Sequence, residues 1–362
     1  MAKQTQRHLR LIALLVLLGV LIWYRVPVGA WAAQEWGNAR DSLARADTSY
    51  LVAAFCAFLS ALLLGFHRWH VLLRAQELPV SLGDTVRLGF VGFVSSLFAP
   101  GSVTGDVLKA AFIAREQKRR TAAIATIIAD RLLALYGLFL LASVMGIIFR
   151  EEVWPLQRLR TILIIIWTIA SIGTAGLIVL FVLPLPLELL NRMVARIPGI
   201  GRLMVELMRA LEQFRNRRLS VAYAIVIGLV GHVGFVLSFY FCALALDGPT
   251  PPWQMHFVII PVGMVLQAVP LAPGANLGVS EVIMSRLYVW LGPEYVKGLT
   301  VSLTQRAVTW LVGLVGLIWY IPLRQRMKRL QAEMKAAAAA AEAAPTRPVT
   351  TVVDPVPQES PA

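Results

Sequence analysis

Charge is what this chain has least of. Asp, Glu, Lys and Arg make up 15% of its 362 residues, against about 25% in a soluble globular protein. That deficit excludes an ordinary soluble domain. Cysteine is nearly absent too: Cys56 and Cys242 are the only two, each inside an apolar run. They read as packing residues, with no support for a disulfide or a metal pair. No HExxH, paired CxxC, P-loop or GxSxG occurs, so the hydrolase and nucleotide-binding signatures lend nothing to an enzymatic reading. A membrane transferase working with a lone acid is left open by that absence. Short segments of alternating hydrophobicity are missing as well, which removes a transmembrane barrel.

What is present is apolar. Hydrophobic residues reach 58% and the mean hydropathy is +0.70. Runs at 9–24, 49–66, 121–149, 161–183, 221–246 and 299–321 read as six membrane spans, each near the roughly 20 residues that cross a bilayer as helix. Two further stretches, 86–114 and 254–291, are interrupted by Pro and Gly. From Val86 to the Pro100-Gly101 break the first extends about 20 Å, short of a hydrocarbon core about 30 Å thick.

The net charge of +14 lies mostly in loops, as the positive-inside bias requires, so nucleic acid is not an expected partner. Lys3, Arg7 and Arg10 put the N-terminus in the cytoplasm, and Arg324, Arg326, Lys328 and Arg329 put the C-terminus there. The "AWA" at 31–33 resembles a signal cleavage site, and the topology that follows is the same with or without cleavage. Both flanks of 86–114 are basic, which fits a hairpin entering from the cytoplasm and returning to it. The flanks of 254–291 are poor in Lys and Arg, which fits a hairpin entering from outside. Complete crossing by one of these stretches is the alternative. In 185–219, Leu203, Leu207, Leu211 and Phe214 share a stripe opposite Arg202, Arg209 and Arg217. This predicts a helix lying in the headgroup region or packed on the bundle.

The interrupted stretches resemble each other. "APGSVTG" at 99–105 matches "APGANLG" at 272–278, an acid follows each (Asp106 and Glu281), and then an intramembrane arginine (Arg131 and Arg306). Three spans separate the two stretches, an odd number, so the halves run in opposite senses: an inverted repeat with paired broken helices. A helix restarting within the membrane has free N–H groups and partial positive charge at its start. Gly101 and Gly274 allow the turn, and Gly105 and Gly278 allow close approach. Two such ends facing inward would form a phosphate-sized site. A pair of ordinary helix kinks is the alternative. Asp130, Arg131 and Arg306 lie well inside spans, where each charge costs about 3 kcal/mol unless paired. Arg131 or Arg306 suits a lipid phosphate. Asp130, Asp106 or Glu281 would balance them in the empty site or carry a coupling proton. Lys109 is a further ligand candidate or a snorkelling side chain.

The stretches "HRWHVLLRAQ", "PGSVTGDVLK", "ADRLLALYG" and "PLAPGANLGVSE" resemble the membrane-embedded, flippase-like family typified by the N-terminal domain of lysylphosphatidylglycerol synthase (the MprF-type, or UPF0104, group). The resemblance covers roughly residues 45–321. By it, Asp106 stands for a family Glu, Lys109 for an Arg, Asp130-Arg131 for a Glu-Arg pair, and Glu281 for the last acid. Ala134 and Ser280 depart from the pattern, at an acid and an Arg position. Bifunctional members carry a soluble aminoacyl-transfer domain after the membrane part. The roughly forty residues after Pro322 are too few to fold one, so lysine transfer is not expected of this chain alone.

The expected fold is all-α and integral to the membrane: about six transmembrane helices plus two re-entrant helical hairpins in an inverted repeat. An N-terminal helix and external loop (1–48) precede a membrane domain (49–322), with halves at 49–149 and 221–321 linked by 150–220. A cytoplasmic basic and Ala-rich tail (323–362) with a disorder-like end follows. The expected activity is transfer of an anionic or phosphate-bearing lipid between leaflets of a bacterial or archaeal inner membrane. The lipid would be a phospholipid, an aminoacyl-phospholipid or a polyprenyl-phosphate carrier. The candidate ligand residues are Gly101, Gly105, Asp106, Lys109, Asp130, Arg131, Gly274, Gly278, Glu281 and Arg306. No cofactor, metal or catalytic residue is expected. The rival readings are a lipid or glycosyl transferase using a polyprenyl-phosphate donor, and a scaffold whose partner is a separate lipid-modifying synthase.

Overall fold

The computed structural model describes residues 41–98, 104–116, 119–183, 201–268, 278–295 and 297–343. The expected first span, and the Pro-Gly turns with Gly101 and Gly274, lie outside them. Residues to Tyr320 form one compact unit and those from Ile321 a second. The helices are α1 (Thr48–Ala75), α2 (Leu82–Phe98), α3 (Thr104–Glu116), α4 (Arg120–Ile148), α5 (Arg150–Val153) and α6 (Gln157–Val182), then α7 (Gly201–Asn216), α8 (Arg218–Ala245), α9 (Trp253–Ala268), α10 (Val279–Leu291) and α11 (Gly298–Ala343).

Local chemistry sets several of these boundaries. Asp47 caps α1 by accepting from Ser49 N–H at 2.8 Å, and Ser81 does the same for Asp84 N–H at the start of α2; each satisfies an amide that a helix end leaves open. Pro251 and Pro252 lead into α9, where a missing N–H costs nothing. The Lys297 ammonium donates to Ala243 O, Leu246 O and Gly248 O at 2.8, 2.9 and 2.9 Å. It thereby closes the carbonyl end of α8, where positive charge is favoured. Burial pushes that amine down to about 8.

Among the described residues, five helices are long and apolar enough to cross a membrane: α1, α4, α6, α8 and the Gly298–Tyr320 part of α11. Their bounds fall within a few residues of the expected spans, except that α1 runs on to Ala75. Each expected interrupted stretch is two short helices, α2 with α3 and α9 with α10. None of the four reaches the roughly 20 residues that a crossing takes, and the members of each pair pack on each other. The spans carry the surface of a chain dissolved in lipid. Ile164, Ile165, Ile169, Ile172 and Val182 of α6 are all exposed, which water would penalise.

The helices on either side of the α5–α7 segment correspond in length. The two members of α1/α8 have 28 residues each, α2/α9 have 17 and 16, and α3/α10 have 13 each. Helices α1 and α8 pack along an extensive interface, and they cross antiparallel. Asp47 N–H donates to Ala245 O at 2.9 Å, Ser238 Oγ donates to Ala54 O at 2.8 Å, and Gly231 and Gly228 face Ala61 and Arg68. Small residues at this seam let the backbones approach, so that close packing and interhelical hydrogen bonds hold the pair where lipid supplies no hydrophobic drive. The amphipathic α7 packs on the bundle. It buries Ala210 and Phe214, and Gln76 Nε2 donates to Ala210 O at 2.8 Å.

Candidate functional site

Four of the polar constellations among the described residues involve the sequence-predicted charges or their counterparts. The Asp106 carboxylate, on the first turns of α3, takes Lys109 Nζ at 2.7 Å and the Arg131 guanidinium of α4. The Glu281 carboxylate, on α10, takes Arg306 Nε of α11 at 2.5 Å. Its other oxygen accepts from Gly278 N–H at 2.9 Å, so it also caps its own helix. Acid and arginine are 25 residues apart in both pairs. A third pair joins Arg68 of α1 to Asp130 of α4 at 2.8 Å, with both side chains largely buried. The fourth is neutral: Ser238 Oγ of α8 donates to Gln305 Oε1 of α11 at 2.9 Å.

Lys109 and the Arg68–Asp130 pair line a cavity of about 320 Å³. Apolar rings of Phe58, Phe93 and Phe235 form much of its wall, and its polar lining is Arg68, Lys109, Asp130 and His232. Lys109 Nζ also stands 5.0 Å from the centroid of the Trp69 ring, a cation held by a π face as well as by its carboxylate. Trp69 is fixed in turn by Nε1 donation to Thr126 Oγ1 at 3.3 Å. His232 Nε2 lies 2.9 Å from Ala134 O. The Lys109 ammonium and the Arg68 guanidinium, each beside its own carboxylate and walled by aromatics, can hold a phosphate through charge-assisted hydrogen bonds while an apolar chain stays among the rings.

Of the sequence-predicted residues, Lys109 and Asp130 line this cavity, and Asp106 reaches it through Lys109. Arg131 and Arg306 are engaged by the acids of their own halves, tying α3 to α4 and α10 to α11. Gly105 is a helix-crossing residue: a Cβ there would collide with the Gly92 carbonyl. Gly278 has a φ of +84° with open space around it, so its role is the turn into α10, which favours glycine. Arg68, Trp69 and His232 were missed as ligand residues. For His232 a signal exists, an ionisable residue in the middle of an apolar run; Arg68 lies two residues past the apolar run 49–66, where its position in the sequence gives no such signal. Among the described residues no three His, Cys, Asp or Glu side chains cluster as a metal site.

Comparison with known proteins gives three results. The family described as Lysylphosphatidylglycerol synthase TM region matches residues 10–316. A UPF0104 membrane protein of Pyrococcus horikoshii is 24% identical over 341 residues, covering 86% of this chain and 95% of that protein. Another UPF0104 membrane protein, from Methanothermobacter thermautotrophicus, is 23% identical over 313 residues, covering 79% and 87% respectively. No solved structure matches.

Proposed function

The chain belongs to the lysylphosphatidylglycerol synthase transmembrane-region family, and from that premise we propose that this multi-pass membrane protein carries an anionic or phosphate-bearing lipid between the leaflets of the cytoplasmic membrane. The observation that carries the reading is the cavity among α1, α2, α3, α4, α8 and α9, which combines Lys109 and Arg68 with an aromatic wall. A charged group at membrane depth is kept where it pairs or serves a path, and these do both. The headgroup phosphate sits against Lys109 and Arg68, with the acyl chains toward the lipid. The Asp106–Arg131 and Glu281–Arg306 pairs hold each short helix to its neighbouring span. In this reading α2/α3 and α9/α10 are re-entrant hairpins from opposite faces, the halves form an inverted repeat, and both termini are cytoplasmic.

The test is leaflet exchange of fluorescent phosphatidylglycerol in proteoliposomes, read by quenching of the outer leaflet. Exchange is expected with the wild-type protein and a ten-fold or greater loss with Lys109→Ala. Wild-type exchange in Lys109→Ala, or none in the wild-type protein, sinks the proposal. Chemical conversion of the labelled lipid would favour the transferase reading instead.

A further inference from the structure

The cavity has an unusual relation to the two helix series. Helices α1 and α8 correspond at a spacing of 170 residues, from Thr48 to Arg218 and from Ala75 to Ala245; α2 and α9 start 171 apart, and α3 and α10 start 175 apart. Contacts recur under these spacings. A Cβ on Gly92 would meet Lys109, and a Cβ on Gly263 would meet Met284. Asp106 pairs with Arg131 as Glu281 does with Arg306. Arg68 meets Asp130 as Ser238 meets Gln305. Ala61 faces Gly231, its own equivalent, so the axis relating the halves passes between these two residues, and both line the cavity. Phe93 and Met264 exchange in the same way and line it too.

The charged part of the lining does not exchange. Arg68, Lys109 and Asp130 come from the first half, and their equivalents are Ser238, Met284 and Gln305. All three of those are buried. Gln305 Nε2 has no hydrogen-bond partner in this packing, although a buried donor normally finds one.

We infer that the cavity has a second position across this axis, closed in the present structure, in which Ser238, Met284 and Gln305 replace Arg68, Lys109 and Asp130 around the same headgroup. This rests on the lipid-carrier reading above. Opening there brings Gln305 Nε2 a partner, water or a phosphate oxygen. The two positions differ in charge: a phosphate is held by the Arg68 and Lys109 cations in one and by the neutral donors Ser238 Oγ and Gln305 Nε2 in the other, where Met284 adds no donor. The anionic headgroup therefore stabilises the present state over the exchanged one, by its differential affinity for the two. The asymmetry sets the resting conformation, and the direction of net flux remains that of the lipid gradient.

The experiment uses the full chain with Cys56→Ser and Cys242→Ala, carrying either Ala134→Cys, on the present cavity, or Ser238→Cys, on its counterpart. Both are reacted in phosphatidylglycerol nanodiscs with a charged, water-soluble methanethiosulfonate. Ala134→Cys is expected to label quickly and Ser238→Cys at least ten-fold more slowly. Adding Arg68→Ser with Asp130→Gln copies the neutral pair into the first half; it should raise the Ser238→Cys rate ten-fold and lower the Ala134→Cys rate. A monodisperse size-exclusion profile establishes that the variants are folded. No labelling at Ser238→Cys in either background, with leaflet exchange intact in the variant that keeps Arg68 and Asp130, overturns the second position and leaves the carrier reading standing. Reciprocal labelling without leaflet exchange supports the second position and defeats the lipid cargo.

Discussion

A guanidinium buried among helices needs a carboxylate, and Arg68 has Asp130 at 2.8 Å. Removing one partner strands the other: Asp130→Ala is expected to destabilise the protein by about 3 kcal/mol. The neutral double variant Arg68→Ser with Asp130→Gln should lose less than half of that, and thermal unfolding in detergent compares the two. Lys297 gives a pH dependence. Its folded value near 8 lies below the unfolded value of about 10.4, so between these limits the unfolded chain binds more protons and stability rises with pH. The stabilisation is complete above the unfolded value and is lost as pH falls through the folded one. The unfolding midpoint should therefore climb from pH 7.5 to 9.5 in the wild-type protein, with a smaller climb in Lys297→Met; equal slopes would contradict this. Such roles were only partly legible in the sequence. A lone acid or arginine in an apolar run announces that it must be paired, but spacing does not say with which partner. Arg131 pairs with Asp106 rather than with the adjacent Asp130 because neighbours in a helix point to different faces.

The short helices carry the argument at the scale of elements. Between them, α2 and α3 make a backbone-to-backbone crossing at Gly92 and Gly105. Gly105→Ala drives a methyl into a carbonyl that belongs to a helix and cannot step aside, and overpacking of this kind costs about 3 kcal/mol at its upper range. The unfolding midpoint should drop accordingly, while Gly176→Ala in α6, where a Cβ meets nothing within 4 Å, should leave it the same or slightly higher, since alanine is the better helix former. At Gly278 the constraint is the backbone itself: an alanine at φ +84° costs about 1 kcal/mol from strain alone. The sequence named both glycines as special but assigned them one role. The distinction between a crossing and a turn needs the neighbouring chain, which for Gly105 is Gly92, thirteen residues away.

For the whole molecule, the correspondence of α1 with α8 and the antiparallel seam between them decide where a cavity can be. Bulk at the seam tests this. Gly231→Leu places a side chain against Ala61 and at the lining of the cavity. It is expected to abolish leaflet exchange while the protein remains folded by size exclusion. Exchange at the wild-type rate would mean that the headgroup path lies elsewhere.

What the sequence determined by itself was solvent and periodicity. Scarce charge, long apolar runs and two Pro-Gly interruptions specify a helical membrane chain, and four of the five described spans fall within a few residues of their expected bounds, with α1 running on to Ala75, because hydrocarbon demands that every backbone amide bond within its own helix. The tertiary structure alone decided which charges meet and which face a cavity. Arg68, on a helix that runs past its expected end, became a wall of the site, and Arg131 and Arg306 became ties between helices. Pairing of buried charges depends on distance across a helix interface, and no spacing along one chain encodes that distance.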